Sequence, residues 1–171
     1  NFLATRLTGY PDRNHPDDDT QSHLSPYLHF GHISAHEIFD QLIGQYEWSL
    51  ASLSETTKGS RTGWWNLPPE AEGFLDQLIT WRELGFNMCA YNSDYAQYES
   101  LPGWALETLA DHAGDPRPTT YPLAELESAN TGDPIWNACQ RQLVRDRFVH
   151  NYLRMLWGKK ILQWSPDPRE A

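Results

Sequence analysis

Two hydroxyl side chains stand three residues apart near the beginning of the chain, and their spacing suits the binding of an anion. Ser22 and Ser25 flank His23 and Leu24, and Pro26 follows directly. Serine hydroxyls donate hydrogen bonds, and the fixed φ of proline restricts the backbone, so hydroxyl and backbone N–H groups can point at one phosphate. Because Ser-Pro turns are common, the segment alone leaves an ordinary turn open as the alternative.

The eight tryptophans include three at regular separations in the last third of the chain. Trp157 and Trp164 are seven residues apart, which places both indoles on one face of a helix, two turns apart. Trp136 precedes Trp157 by 21 residues. Such a set is typical of an aromatic core, since aromatic side chains dominate core energetics. The alternative is a relay, in which closely spaced indoles pass an electron between a buried redox centre and the solvent.

Four of the seven histidines lie between positions 23 and 36, a grouping that could indicate a metal site. On one helix, His29, His32 and His36 would share a face. Ser34 is a typical helix N-cap, however, so the helix is expected to begin inside this group, and no cysteine joins it. We therefore predict no metal site. The common signatures for nucleotide binding, zinc proteolysis and serine hydrolysis are absent from the chain.

Charge is distributed unevenly along the chain. Thirteen Lys and Arg residues stand against 23 Asp and Glu residues, a formal net charge of −10 that argues against a uniformly basic nucleic-acid-binding surface. Residues 134–164 nevertheless hold six cations and one acidic residue, a local net charge of +5. Arg141, Arg145 and Arg147 lie in this region, and a basic face on an acidic protein can hold phosphates. The alternative is a solvated helix face with its cations near the C-terminal end.

The elements that carry these residues are predicted to be helices, because apolar residues recur at helical spacing and no stretch alternates in polarity like a strand. The main helical stretches are expected after Ser34, from position 68 to about 92, and from 135 to 164. Asp133, followed by Pro134, is a typical start for the last stretch, which we expect to break near 145–147. Residues 49–68 are predicted to be an exposed loop. The fold class is all-α.

The length of 171 residues suits one helical domain over residues 1–171. Both ends are expected to be cut from a larger protein, because Asp167 and Pro168 look like the start of a helix whose body does not follow. No apolar run suits a membrane helix, and Asn1 does not open a signal peptide. Cys89 and Cys139 form no CxxC motif, which indicates a reducing compartment and no disulfide. We expect a cytoplasmic protein, associated with the nucleoid if it is bacterial.

Taken together, these segments resemble the C-terminal, FAD-binding helical domain of the cryptochrome/photolyase family. The closest likeness is to class II cyclobutane-pyrimidine-dimer photolyases, and it spans nearly the whole chain. Three stretches carry it. They are residues 22–34, residues 81–92 with the sequence Trp-Arg-Glu-Leu at their start, and residues 136–164 with Lys-Lys-Ile-Leu-Gln-Trp at their end.

The resemblance implies FAD as the cofactor, held by two groups of residues. The residues implied at the diphosphate and ribityl region are Tyr10, Ser22, His23, Leu24, Ser25 and Arg82. Charge-assisted hydrogen bonds suit a diphosphate there. Asn151 and Arg154 would lie toward the isoalloxazine ring, and Asn151 stands where class II members usually have Gly.

The resemblance also implies catalytic and electron-transfer roles. Trp81 would form an aromatic wall against a thymine dimer flipped out of the duplex. Gln77 stands four residues earlier, where the family usually has a dimer-binding Glu, and an amide can donate a hydrogen bond but cannot supply a proton or a negative charge. Trp157, Trp136 and Trp164 would be the proximal, middle and surface members of the electron relay.

The implied function is light-driven repair of cyclobutane pyrimidine dimers by electron transfer from reduced FAD, with dimer-containing DNA as the partner. One alternative is a cryptochrome-like FAD photoreceptor without repair activity, and another is a flavin-free helical interaction domain. Gln77 favours the photoreceptor, as does Glu37, which stands where a basic residue is frequent in the family. Trp81, the three spaced tryptophans and the local positive charge favour the repair enzyme.

Overall fold

The computed structural model describes all of residues 1–171 and contains helices and connecting loops, with no β-strand. The all-α fold class predicted from the sequence is confirmed. The residues divide into two compact units, Asn1–Ser93 and Asp94–Ala171. The single domain over residues 1–171 stays a prediction. None of the helices is long and apolar enough to cross a membrane.

The first unit contains five α-helices and three turns of other helical types. The α-helices are α1 (Phe2–Thr5), α2 (Ser25–His29), α3 (Ala35–Ile43), α4 (Pro69–Leu75) and α5 (Arg82–Tyr91). Two 3-10 turns cover Leu7–Asp12 and Leu50–Ser52, and a π-helical turn, Asp76–Trp81, joins α4 to α5.

The core of the first unit is built around three aromatic rings from separate elements. The Phe74 ring centroid lies 4.9 Å from that of Phe2 and 5.3 Å from that of Tyr10. The remaining buried members of this core are Leu7, Ile38, Leu42, Ala71, Leu75 and Leu78. Burying each large apolar side chain is worth about 1.5–3 kcal/mol, so this core fixes α3 and α4 against the N-terminal residues.

Helix α3 begins as the sequence predicts. The hydroxyl of Ser34 accepts a hydrogen bond of 3.0 Å from the backbone N–H of Glu37, which satisfies one of the free donors at the helix start. Ile38 and Leu42 then point into the core one turn apart. Because α2 ends at His29 and α3 begins at Ala35, the histidines at 29, 32 and 36 do not share one helix.

The helical stretch predicted from position 68 to about 92 is present, but its winding changes in the middle. Residues Asp76–Trp81 form the π-helical turn. Backbone hydrogen bonds in a π-helix join residues five apart rather than four, so side chains five apart come onto the same face. The α-helical spacing assumed from the sequence therefore misplaces the side chains within this turn.

The prediction of an exposed loop at 49–68 holds only for its tip. The Trp65 ring packs with those of Trp48 and Trp64, and the Trp48 and Trp65 rings also contact Phe39 of α3. The Trp48 indole N–H donates to the backbone oxygen of Trp65 over 2.8 Å. We call Trp48, Trp64 and Trp65 the loop cluster. These aromatic side chains anchor a loop whose polar composition had predicted that it would be exposed.

The second unit contains four α-helices and one 3-10 turn, Tyr98–Ser100. The α-helices are α6 (Gly103–Asp111), α7 (Leu123–Glu127), α8 (Pro134–Asp146) and α9 (Asn151–Trp164). A carboxylate oxygen of Asp133 accepts from the N–H groups of Ile135 and Trp136, both at 3.0 Å, so the predicted N-cap of α8 is confirmed. The predicted break is also confirmed, because Arg147 ends α8 in the left-handed conformation with φ of 57°.

Candidate functional site

Three indoles meet where α8 packs on α9, as the sequence spacing predicts. The Trp136 ring is parallel to the Trp157 ring, with an angle of 1° and a centroid distance of 6.3 Å. The Trp164 ring meets Trp136 edge-on, at 5.5 Å and 74°. We call Trp136, Trp157 and Trp164 the helix cluster. The neighbouring rings are close enough to be in contact, which is the geometry that an electron relay requires.

Hydrogen bonds fix two of these indoles. The Trp157 N–H donates to the side-chain oxygen of Gln140 over 2.9 Å, and the Trp136 N–H donates to the backbone oxygen of Trp157 over 3.0 Å. Gln140 is itself held by donating to the backbone oxygen of Glu127 over 3.3 Å. Both acceptors are amide oxygens, which bind a proton only weakly. An indole that loses an electron here would keep its N–H proton.

The exposure of the helix cluster differs from the expectation for its outer member. Trp136 is the most buried, at 1%, but Trp164, expected at the surface, is only 7% exposed, whereas Trp157 is half-buried. The ring of Tyr121 and the ammonium of Lys160 cover Trp164, with Lys160 Nζ 5.2 Å from the ring centroid. A cavity of about 400 Å³ opens beside Trp136 and Trp157.

A buried carboxylate, not foreseen from the sequence, organises the expected catalytic residues of the first unit. One oxygen of Asp76, Oδ2, accepts from the Trp81 indole N–H over 3.1 Å and from the Gln77 amide over 3.2 Å. The Nε atom of Arg61 lies 3.5 Å from the same oxygen as an ion-pair partner. Asp76 is 7% exposed, and a buried charge is tolerated only when it is paired in this way.

The expected catalytic pair is thus present but arranged differently. Trp81 is 56% exposed, so its ring is free to stack on a ligand, while Gln77 turns its amide nitrogen toward Asp76. The sequence aligned Gln77 with Trp81 at α-helical spacing, and the π-helical turn aligns Asp76 with Trp81 instead. The sequence feature that could have pointed to Asp76 was its position, as an acidic residue between the apolar pairs at 74–75 and 78–79.

Tyr10, expected beside the cofactor, lies in the aromatic core of the first unit and close to Asp76. Burial raises the pKa of the Tyr10 phenol, the positive charge of Arg13 opposes this, and the negative charge of Asp76 adds to it. The phenol therefore stays protonated and can donate a hydrogen bond. Tyr10 and the turn that carries Gln77 and Trp81 are held by one core.

The segment 22–25 is also attached to that core, through one of its members. Leu24 packs against the core and occupies the N-cap position of α2. The hydroxyl of Ser22 accepts from the Leu24 N–H over 3.4 Å, and Ser25 is exposed. His23 has a positive φ of 54° and contacts the carboxylate of Asp19, whose pKa this hydrogen bond lowers. A carboxylate beside His23 reduces the positive potential available to a phosphate.

Arg82 makes both of its observed side-chain contacts on its own helix. Its Nη1 atom lies 3.6 Å from a carboxylate oxygen of Glu83, and its guanidinium carbon lies 4.6 Å from the centroid of the Phe86 ring. Neither contact joins Arg82 to Ser22 or Ser25. The convergence of these residues on one phosphate stays a prediction.

The residues expected at the isoalloxazine ring lie in the first turn of α9. Arg154 donates to the side-chain oxygen of Asn151 over 2.8 Å. His150 caps the helix, because its Nδ1 accepts from the N–H of Tyr152 over 3.2 Å. Its other ring nitrogen, Nε2, is buried without a hydrogen-bond partner. A buried unpaired donor next to Asn151 and Arg154 fits an additional polar ligand, and ring carbonyl or nitrogen atoms of a flavin would satisfy it.

The three arginines expected to bind DNA have different surroundings. Arg145 forms two hydrogen bonds of 2.6 Å to Asp146, which raise the pKa of the guanidinium and lower that of the carboxyl. Arg141 reaches the backbone oxygen of Ala129 at 3.5 Å. Arg147 is exposed at the end of α8. The charge of Arg145 is largely offset within the protein, so Arg147 is the better placed to meet a phosphate. No group of three or more His, Cys, Asp or Glu side chains is arranged to hold a metal ion.

Comparison with known proteins gives relatives of one kind. No protein-family model matches the chain. The chain is 40% identical over 171 residues to the deoxyribodipyrimidine photo-lyase of Potorous tridactylus and 42% identical over 171 residues to that of Methanothermobacter thermautotrophicus. It is 41% identical over 175 residues to that of Oryza sativa subsp. japonica. Each match covers 99% of the chain, but only 29%, 33% and 30% of these relatives, so the chain spans about a third of their length.

Proposed function

Because the chain belongs to the cryptochrome/photolyase family, we propose that it is part of the catalytic helical domain of an enzyme that repairs cyclobutane pyrimidine dimers in DNA with light. The single observation that carries this proposal is the helix cluster, in which three indoles touch and two of their N–H groups are bonded to amide oxygens. The class II assignment is part of the same proposal.

The cofactor of the proposed enzyme is FAD, which when bound supplies the light-excited electron that opens the cyclobutane ring. Asn151, Arg154 and the unpaired Nε2 of His150 would hold its ring edge. Tyr10 and the segment 22–25, with Arg82, would hold its diphosphate and ribityl region.

The chain's own residues would then perform two tasks. The helix cluster passes electrons inward by contact, and the amide acceptors keep the indole protons in place during each transfer. The exposed face of Trp81 stacks on the linked pyrimidines of a dimer that has left the duplex, as base-processing enzymes require. Arg147 and Arg141 bind the phosphates that flank the extruded bases.

A photoreceptor without repair activity is the second candidate, and one observation favours it. The amide of Gln77 is engaged by Asp76, so the residue that would contact the dimer has one donor fewer to offer. A complete relay together with a weakened base site is what a light sensor derived from a repair enzyme would retain.

The test uses the longest natural form of the protein and separates photoreduction from repair. We expect Trp136→Phe to slow the blue-light reduction of bound FAD at least tenfold, while repair by chemically reduced protein is unchanged. Trp104→Phe is the matched control, because Trp104 is in the same unit and 72% exposed. Repair is measured on an oligonucleotide that carries one thymine dimer.

Three results would redirect the proposal. Photoreduction without any repair by the unaltered protein would favour the photoreceptor hypothesis over the repair enzyme. A protein that retains no flavin would leave the flavin-free interaction domain. Equal photoreduction in the two variants would remove the helix cluster from the electron path.

A further inference from the structure

The environment of Trp81 is the most specific polar arrangement in the first unit that the proposed function does not explain. A single carboxylate oxygen, Asp76 Oδ2, receives the Trp81 indole N–H, the Gln77 amide and the Arg61 guanidinium. Hydrogen bonds to an ionised acceptor are about twice as strong as neutral ones. A buried carboxylate with three donors of different kinds is therefore a strong local anchor.

We infer that Asp76 is the positioning residue of the base-stacking site, and that it orients Trp81 and Gln77 toward an extruded pyrimidine through these hydrogen bonds. The inference rests on the proposed function for the identity of the ligand, a pair of linked pyrimidine bases. It assigns to position 76 the carboxylate that the sequence lacks at position 77.

The π-helical turn is the reason that Asp76 can act in this way. With backbone hydrogen bonds between residues five apart, positions 76 and 81 come onto one face, and the indole N–H reaches the carboxylate without leaving its own helix. The indole has one donor, so this bond fixes its in-plane direction. Its exposed face is then held ready for stacking, which saves the entropy of ordering the ring when a base binds.

The amide of Gln77 is oriented by the same carboxylate. Since its nitrogen donates to Asp76, its carbonyl oxygen is directed away from that carboxylate and is available as an acceptor. Pyrimidine rings present an imide N–H at the edge that pairs in the duplex, and an amide oxygen can accept from it. Asp76 thus selects which end of Gln77 a base would meet.

Arg61 connects the anchor to the loop that ends in Trp64 and Trp65. Its side chain is largely exposed, yet its Nε atom is the cationic partner of the buried carboxylate. The backbone N–H of Gly63, two residues later, donates to Glu72, one turn before Asp76 on the same helical stretch. The loop is therefore attached to this stretch at two carboxylates one turn apart, Glu72 and Asp76.

The first measurement is independent of DNA and flavin and follows the indole N–H of Trp81. In protein labelled with ¹⁵N-tryptophan, the Trp81 signal is identified by its loss in Trp81→Phe. We expect it to exchange with solvent at least tenfold more slowly than the signal of the exposed Trp104, and Asp76→Ala to remove this difference. Asp76→Asn should retain part of it, since an amide oxygen still accepts. An unchanged exchange rate in Asp76→Ala would overturn the inference.

The second measurement is the preference for a dimer-containing oligonucleotide over an undamaged one, in the longest natural form of the protein. We expect Asp76→Ala to reduce this preference about tenfold, equivalent to about 1.4 kcal/mol. In a Trp81→Phe background, which has no indole N–H to orient, the same substitution should have little further effect. Asp40→Asn, a change of charge on the exposed side of α3, is the matched control and should leave the preference unchanged.

The outcomes separate the inference from the proposed function. A loss of preference that is as large with Phe at position 81 would show that Asp76 acts on DNA or on the core rather than through Trp81, and would overturn the inference. If the unaltered protein shows no preference for the dimer, the proposed repair function fails, and the indole exchange rates alone decide the role of Asp76.

Discussion

Each unit contains a cluster of three tryptophans, and the contacting rings in both lie between 5.1 and 6.3 Å apart. The helix cluster joins two long helices, includes a parallel ring pair and has two indole N–H groups bonded within or next to it. The loop cluster joins a loop to α3, its rings are tilted by 46° and 47°, and one of its indole N–H groups is bonded to the loop backbone. Ring spacing alone therefore does not mark a relay.

The difference between the clusters lies in what holds the rings. In the helix cluster, the regular backbones of α8 and α9 set the positions of the three indoles. In the loop cluster, the rings themselves hold the backbone. A relay needs the first arrangement, because electron transfer depends steeply on distance, whereas anchoring a loop needs only the buried apolar area of the second.

The largest expected effect is on the free energy of unfolding, which should fall by different amounts when a tryptophan is removed from each cluster. Trp136→Ala removes a side chain that is almost wholly buried, and we expect it to lower the free energy of unfolding by about 3–5 kcal/mol. Trp65→Ala, at a half-buried ring, should cost clearly less. Urea unfolding followed by circular dichroism measures both, with Trp104→Ala as the exposed control. Equal losses at positions 136 and 65 would contradict the distinction drawn between the clusters.

The next largest effect concerns the side-chain caps at the start of α8, in the second unit, and at the start of α3, in the first. Asp133→Ala removes a carboxylate that accepts two backbone N–H groups, and we expect a loss of about 1–2 kcal/mol. Ser34→Ala removes one such bond and should cost about 1 kcal/mol or less. Urea unfolding again gives the values. A larger loss at Ser34 would mean that the start of α8 is held by its packing rather than by its cap.

A DNA-binding measurement compares two arginines at the end of α8, in the second unit. We expect Arg147→Ala to reduce the slope of log affinity for DNA against log salt by about 0.9, the value for one phosphate contact. Arg145→Ala should change the slope less, because Asp146 already offsets that charge. Titrations at several salt concentrations provide the slopes. Identical slopes for both variants and the unaltered protein would indicate a solvated helix face.

The smallest effect is a pH dependence in the first unit. The hydrogen bond from His23 lowers the pKa of Asp19 in the folded protein, so its stabilising contribution is present above the unfolded pKa and is lost as pH falls through the lower folded value. The effect is small, since Asp19 is exposed and screened by solvent. Asp19→Asn should be slightly less stable than the unaltered protein at neutral pH, and the difference should vanish once the pH falls below the lowered pKa of Asp19 in the folded protein. A difference that persists at low pH would assign it to another cause.

The sequence was sufficient for features governed by regular helical periods and local caps. Trp157 and Trp164 share a face because their separation of seven residues equals two turns, and Asp133 caps α8 because its side chain needs only the next few N–H groups. Asp76 was missed because a π-helical turn changes the period from within, and nothing in a propensity pattern marks where that occurs.

Two other features were missed from the sequence. Both depend on contacts between residues that are distant in the chain, and in one case the polar composition of the segment predicted an exposed loop. The loop at 49–68 is rich in Ser, Thr and Gly, yet Trp65 packs against Phe39 of α3 and Trp64 packs against Trp65. Trp164 was expected at the surface, and its coverage by Tyr121 arises from a ring more than forty residues earlier. Such coverage can be seen only when the tertiary structure is known.

The left-handed conformation of Arg147 has a consequence for how this position can change over generations. Its N–H closes α8 on the carbonyl of Leu143, at a place where glycine is the usual residue because any side chain raises the conformational energy. Glycine there would fold more easily but would delete a cation at the surface expected to meet DNA, and lysine would keep the cation without relieving the backbone. Folding and DNA binding thus favour different residues at position 147. The residue found there in each lineage would therefore be a sensitive record of whether that lineage still binds DNA through this surface.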